Sequence, residues 1–235
     1  MLGYYTDNSV SQGVMRAFAL SGVQTSHINN FSKNKDVNSI FYGILRGSGI
    51  AMRYQKMMGV DFWYVDNGYF EAEYRDKDGF KEMTGKYRVV KNQMIEPINV
   101  QPFTRSVGPM NILVMPPTPY TAFMNDMIPE DWIIYWRSVS KKLGHTLVIR
   151  EKEAGSHSLD EQLEWCDAVL AFNSMGVMKA IEMGKGVYTT HGIVRNSELF
   201  DSVVPYYKYE EIRKFYEPKQ FTLEEIKDRG VACLN

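Results

Sequence analysis

Residues 149–190 read IREKEAGSHSLDEQLEWCDAVLAFNSMGVMKAIEMGKGVYTT, and the fold is decided there. Apolar runs at 146–149, 168–172 and 186–188 are separated by stretches with helical spacing, so the segment predicts strand, helix, strand, helix, strand. That alternation is the βαβ unit of a parallel sheet, which places the chain in the α/β class. Asn173-Ser174-Met175-Gly176 follows the second strand directly and opens a helix predicted over 177–183. Such a loop leaves the carboxyl edge of the sheet with backbone N–H groups and a serine hydroxyl directed outward, where an anion is readily held. Arg150 and Lys152 stand just beyond the preceding strand, in the same switch region. Either cation alone reads as a surface charge at a strand end; together with the loop they are placed to neutralise a diphosphate.

Working outward, Asn111–Met115 (NILVM) is apolar enough for a central strand, followed at once by Pro116-Pro117-Thr118-Pro119. A helix is predicted over 132–143, with Lys141, Lys142 and Gly144 as its stop signals. Ser158 with Glu161 three residues on is a capping box, and the tail carries charged helices at 209–216 and 222–229.

The first half repeats the alternation less clearly. Ser9 or Ser11 caps a helix over 12–20, and a strand over 39–45 is broken by Arg46-Gly47-Ser48-Gly49 before a helix at 50–58. Two glycines flanking Ser48 allow close approach to a phosphate or sugar, with Arg46 as donor. A lone Gly-x-Gly is neither a dinucleotide fingerprint nor a P-loop, and a tight turn has the same composition. A strand over 61–65 ends in Asp66-Asn67-Gly68-Tyr69-Phe70. Asp66, a partly desolvated carboxylate at a strand end, is the candidate general base, and Tyr69 beside it can stack a sugar or base. The same residues also form a common turn. Residues 71–109 mix cations with aromatics, which suits an acceptor surface or a solvated loop. Pro109 marks the boundary between a first domain at 1–109 and a second at 110–235.

Composition narrows the classes. The 235 residues are 44% hydrophobic and 23% charged, as in ordinary globular proteins. No apolar run reaches membrane-spanning length and no leader is apparent, so the expectation is a cytoplasmic protein without a membrane partner. Cys166 and Cys233 are the only cysteines and are read as reduced thiols. The net charge is −1, divided as +3 over residues 1–109 and −4 over 110–235, which argues against generic coating of nucleic acid. The four histidines have no metal-ligand spacing, and Ser174 sits in no Gly-x-Ser-x-Gly elbow. What remains suits a reaction that uses neither a metal nor a covalent nucleophile.

Asn173-Ser174-Met175-Gly176, then Ala180-Ile181-Glu182, then Gly184-Lys185-Gly186-Val187 resembles the C-terminal half of GT-B glycosyltransferases, especially the capsule-polysaccharide and phage DNA-base enzymes. The resemblance covers the second half well and the first loosely, with Gly186 where the family usually has proline. It implies two Rossmann-like open parallel sheets facing each other across a cleft, with the donor between the halves. The donor would be a nucleotide sugar, a UDP-sugar foremost, held by Arg150, Lys152, Asn173, Ser174, Met175 and Gly176, with Glu182 on the ribose. Acceptor groups would lie near Asp7, residues 9–12, and Arg46, Gly47, Ser48 and Tyr69, with Asp66 as base. The acceptor would be a hydroxymethylated pyrimidine in phage DNA or a growing polysaccharide, and the C-terminal helices would return to the first domain. A non-catalytic nucleotide- or sugar-binding module and a polar interaction protein are the alternatives from other classes.

Overall fold

The computed structural model describes residues 1–70, 73–77, 80–106, 108–150 and 157–234, with the strands at 73–77 and 80–84 described by their backbone alone. In chain order the first half runs β1 (Leu2–Tyr5), α1 (Ser9–Leu20), β2 (Gln24–His27), β3 (Ser39–Tyr42), α2 (Ser48–Met58), β4 (Phe62–Asn67), β5 (Glu73–Lys77), β6 (Phe80–Thr84) and β7 (Tyr87–Lys91). Then come β8 (Phe103–Ser106), β9 (Asn111–Met115), α3 (Pro119–Met124), α4 (Pro129–Leu143), β10 (Thr146–Ile149), α5 (Leu159–Glu164), β11 (Ala168–Ala171), α6 (Gly176–Glu182) and β12 (Gly186–Thr189). The chain finishes with β13 (Val203–Tyr206), α7 (Tyr209–Tyr216), β14 (Gln220–Phe221) and α8 (Leu223–Arg229). Two compact units result: Met1–Met94 with Tyr216–Asn235, and Ile95–Phe215. The expected cut at 109/110 therefore falls inside the second unit.

Unit 1 is built on a six-stranded sheet in the order β14-β7-β4-β3-β1-β2. The strands β2, β1, β3 and β4 are parallel; β7 and β14 extend them with antiparallel pairings. Alternation along the strands explains the two layers, since successive side chains point to opposite faces. Ile40, Trp63 and Val65 pack with Val14, Met15 and Phe18 of α1 and Ile226 of α8. Tyr4, Phe41 and Phe62 form an aromatic run whose neighbouring rings lie 5.5 and 6.4 Å apart. The segment 71–109, read as irregular, supplies β7 beside β4, and the tail closes the layer through a hydrogen bond from Trp63 Nε1 to the Leu234 carbonyl at 2.9 Å. The helix expected from residue 12 begins at Ser9, because the cap is Asn8, whose side chain accepts the Ser11 N–H.

Unit 2 carries a four-stranded, fully parallel sheet in the order β10-β9-β11-β12. Strands β9, β11 and β12 are buried nearly throughout, as a parallel sheet covered on both faces requires. Trp132 and Trp136 of α4 seat against Phe172 and Phe200, and burying each large side chain contributes about 1.5–3 kcal/mol. The capping box at Ser158 and Glu161 forms as the sequence predicts. A Cβ on Gly186 would lie 2.2 Å from Val204 Cγ1 and 3.2 Å from the Ala168 Cβ. The close passage of β13 over β12 is what requires the smallest side chain there.

Both units contain the same parallel core. Numbered within each unit, the order is 2-1-3-4, as β2-β1-β3-β4 and again as β10-β9-β11-β12. In each, the first and third strands are neighbours whose chains leave toward opposite sides, and that switch point is where open α/β sheets make a crevice.

Candidate functional site

The carboxyl edge of the unit 2 sheet gathers four loops. After β10, the Arg150 N–H donates to the Val114 carbonyl at 2.8 Å, so strand pairing fixes the backbone from which the guanidinium departs. Arg150 Nε is buried and has no hydrogen-bond partner among the described residues. Burial pushes the guanidinium pKa down. A partly desolvated guanidinium whose buried Nε finds no acceptor among the described residues is costly, and an anionic ligand would relieve the cost. Lys152, expected to act with it, lies outside the described residues.

After β11 comes the Asn173-Ser174-Met175-Gly176 loop. Its first-turn donors are mostly occupied: Gly176 N–H donates to Ser174 Oγ at 3.2 Å, Val177 N–H to the Ser174 carbonyl at 3.2 Å and Met178 N–H to the Met175 carbonyl at 3.0 Å. The expected row of outward amides is therefore reduced, though the Ser174 hydroxyl keeps its own proton to donate. Gly176 is required by packing, because a Cβ there would come within 3.0–3.2 Å of Met115 and Leu159. Glu182 ends α6, about 9 Å along the axis from Gly176. It pairs with Lys179 at 3.2 Å, and Lys179 also lies 3.7 Å from Asp160. Glu182 is thus engaged away from the rim, where a ribose contact had been expected.

After β12, Thr190 N–H and His191 N–H donate to the Ala171 and Phe172 carbonyls at 3.2 and 2.8 Å, and the His191 ring stacks on Phe172 at 4.4 Å. Asn196 pins this loop from within. It accepts from Thr189 N–H at 2.8 Å and donates to the Val187 carbonyl at 2.7 Å and to Tyr207 Oη at 2.5 Å. The Thr189 and Thr190 hydroxyls are buried without a partner among the described residues. The sequence reading passed over Asn196, Thr189 and Thr190; a buried asparagine between two strands leaves no local pattern to find.

In unit 1 the expected acceptor residues separate. Arg46 (φ 55°) and Gly47 (φ 95°) are both left-handed, because β3 stops at Tyr42 rather than residue 45 and the chain must turn sharply into α2. Arg46 is exposed, whereas Ser48 is fully buried with its hydroxyl unpartnered among the described residues. Asp66 does not sit as an open carboxylate. Oδ2 accepts from Tyr64 Oη at 2.5 Å and from Arg88 Nη2 at 3.0 Å, and Oδ1 accepts from Asn67 N–H at 2.9 Å. Arg88 also donates to the Asn67 carbonyl at 2.6 Å and lies over the rings of Tyr69 and Tyr64 at 4.8 and 5.7 Å. Burial alone would lower the Arg88 pKa; Tyr69 and Asp66 beside it more than reverse that. Tyr69 is buried against Tyr216 at 4.5 Å, and its N–H donates to Gln220 Oε1, so its ring packs the core instead of offering a stacking face. The open carboxylate at this edge is Asp7, after β1, which accepts from His27 Nε2 at 3.2 Å. His27 Nδ1 in turn accepts the Asn29 N–H at 3.2 Å.

Among the described residues no three His, Cys, Asp or Glu side chains lie together as metal ligands, and no helix is long and apolar enough to cross a membrane. No family model and no curated protein matches the chain. Among solved structures, the chain is similar to the beta Kdo 2,4 transferase of Thermosulfurimonas dismutans KpsC, at 10% identity and TM-score 0.43 over 84% of this chain and 85% of that one. It is also similar to the beta Kdo 2,7 transferase of the same protein, at 9% identity and TM-score 0.49 over the whole of both chains.

Proposed function

We propose that this chain is a GT-B-type glycosyltransferase that binds a nucleotide-activated sugar at the carboxyl edge of the unit 2 sheet and transfers the sugar to a hydroxyl acceptor. The observation that carries the reading is Arg150, a partly buried guanidinium whose Nε has no partner among the described residues, at a rim made by a parallel sheet with a switch point. The repeated 2-1-3-4 core in unit 1 supports a two-part division between donor and acceptor binding. Cleavage of the sugar–phosphate bond leaves charge on the departing phosphate, which Arg150, Lys152 and the Ser174 hydroxyl would stabilise.

The acceptor hydroxyl must lose a proton as the new bond forms. Asp66 is poorly suited to take it, since Arg88, Tyr64 and the Asn67 amide already occupy both oxygens. Asp7 has an open oxygen at the switch point of unit 1 and is oriented by His27, so we assign the base to it. A glycan acceptor fits a chain of net charge −1 better than DNA does.

The test is a thermal-shift screen of UDP-, GDP-, ADP- and CMP-sugars, activated Kdo included, against wild type and Arg150→Ala. A ligand at 100 times its Kd adds about 2.7 kcal/mol of stability. A shift in wild type that Arg150→Ala loses supports the donor site; no shift with any sugar nucleotide overturns it. With a donor in hand, oligosaccharides and hydroxymethylated DNA are compared as acceptors. Binding without transfer to either, unchanged by Asp7→Asn, would favour a non-catalytic sugar-nucleotide module.

A further inference from the structure

Helix α4 turns one side to the unit 2 core and the other to water. Trp132, Trp136 and Ser140 are buried, and at 100° per residue every exposed residue of the helix falls within one arc of about 160° on the opposite side. The arc is ordered along its length. Its first turn carries Glu130 and Asp131, its middle Ile134 and Tyr135, and its last turn Lys141 and Lys142, with Arg137 adding to the basic half. Ile134 and Tyr135 are 63% and 60% exposed, and the Tyr135 ring stands edge-on to Trp136 at 5.0 Å. Acids and bases are at least six residues apart, beyond the reach of pairing along one helix. None of these charged side chains makes an ion pair among the described residues.

Acids in the first turn and bases in the last complement the helix dipole. The dipole gives no reason for an isoleucine and a tyrosine to stand in water between them. An apolar middle flanked by opposite charges is complementary to itself when reversed end for end, which is what an isologous contact requires. We infer that two copies of this chain associate through α4, packed antiparallel about a twofold axis at the level of Trp136. Glu130 then falls opposite Lys141 of the second copy and Asp131 opposite Lys142, each pair occurring twice, while Ile134 and Tyr135 cover one another near the axis. A parallel arrangement would set acid on acid. From residue 130 to residue 142 the face is about 18 Å long. That is at the small end of specific interfaces, so a dissociation constant above about 1 µM is expected. The face uses no residue of the sugar-nucleotide rim and stands apart from the transferase reading.

The test is sedimentation velocity of the full chain from about 1 to 500 µM, at about 50 and 500 mM salt. Expected is a concentration-dependent passage from monomer to dimer and no further, weakened by the higher salt. Lys141→Glu with Lys142→Glu should weaken the dimer at least tenfold, and so should Glu130→Lys with Asp131→Lys, because each sets like charges against one another at both ends. An equimolar mixture of these two variants should dimerise as wild type does, since each then meets its opposite, and that recovery also shows both to be folded. Ile134→Ser with Tyr135→Ser should weaken association while leaving the melting temperature within about 2 °C, as neither side chain lies in the core. A wild-type chain that stays monomeric at 500 µM and low salt overturns the inference. So does open-ended assembly, a dimer indifferent to the charge reversals, or a mixture of the two variants that remains monomeric.

Discussion

Replacing Asp66 by asparagine keeps the shape of the side chain and removes its charge. The Arg88 guanidinium is 6% exposed and meets the carboxylate at 3.0 Å, so the variant leaves a buried cation without its carboxylate, beside the Asn67 carbonyl and two tyrosine faces. Breaking a buried ion pair from one side costs about 3–5 kcal/mol. Asp66 is itself 27% exposed and water can reach its place, so the lower end, about 3 kcal/mol, is expected. For a unit of about a hundred residues that corresponds to a fall of roughly 12 °C in Tm. The unfolding of unit 1 is followed by calorimetry and by the fluorescence of Trp63, which lies in the same core. Asp66→Leu combined with Arg88→Met should recover most of the loss, since no unpaired charge remains. If Asp66→Asn unfolds within about 0.5 kcal/mol of wild type, a value typical of substitutions away from any structural feature, the carboxylate is not an anchor. The case for Asp66 as catalytic base would then return.

Gly186→Ala should destabilise unit 2 by about 1–3 kcal/mol through its collision with Val204, and pairing it with Val204→Ala should cost less than the two changes summed, as measured by urea unfolding. Asn196→Ala removes three buried hydrogen bonds and should cost about 3 kcal/mol; a loss under 1 kcal/mol would show that the loop after β12 is held otherwise. His145 is buried and accepts the Met110 N–H at 3.3 Å through Nδ1, and burial holds its pKa below the ordinary imidazole value. The unfolded chain therefore takes up the proton first, so this contribution is full above about pH 6.5 and is lost as pH falls through that value toward the folded pKa. Melting curves from pH 7.5 to 5.5 should show a slope in wild type that His145→Asn flattens, and equal slopes would refute the assignment.

Elements whose signals are local were legible in the sequence. The strand Asn111–Met115, the helix Tyr209–Tyr216 and the Ser158–Glu161 capping box are found where apolar runs and capping residues put them. The elements missed are those completed by distant partners. Tyr87–Lys91 looked like solvated loop because it alternates cations with apolar residues, yet it pairs with β4, and Arg88 is buried by Asp66 and Tyr69. A cation's burial depends on its counter-charge, here 22 residues away, and no window of sequence displays that. The candidate site divides along the same line. Arg150 and Ser174 come to one rim because strand ends in a parallel sheet must, whereas Tyr69 and Asp66 were drawn into the core by Gln220 and Arg88. Glu182 was placed by its position after the loop, but the helix carries it away to Lys179.

Unit 1 takes its last strand and its covering helix from Tyr216–Asn235, while unit 2 is one uninterrupted stretch. Synthesis on the ribosome therefore delivers the two in reverse of their numbering. The amino-terminal ninety residues emerge first but must remain open along β7 and the Trp63 face until Phe221, Ile226 and Leu234 arrive, by which time the middle of the chain has all it needs to collapse. A nascent chain stalled before residue 216 should thus present a protease with a folded middle and a susceptible beginning.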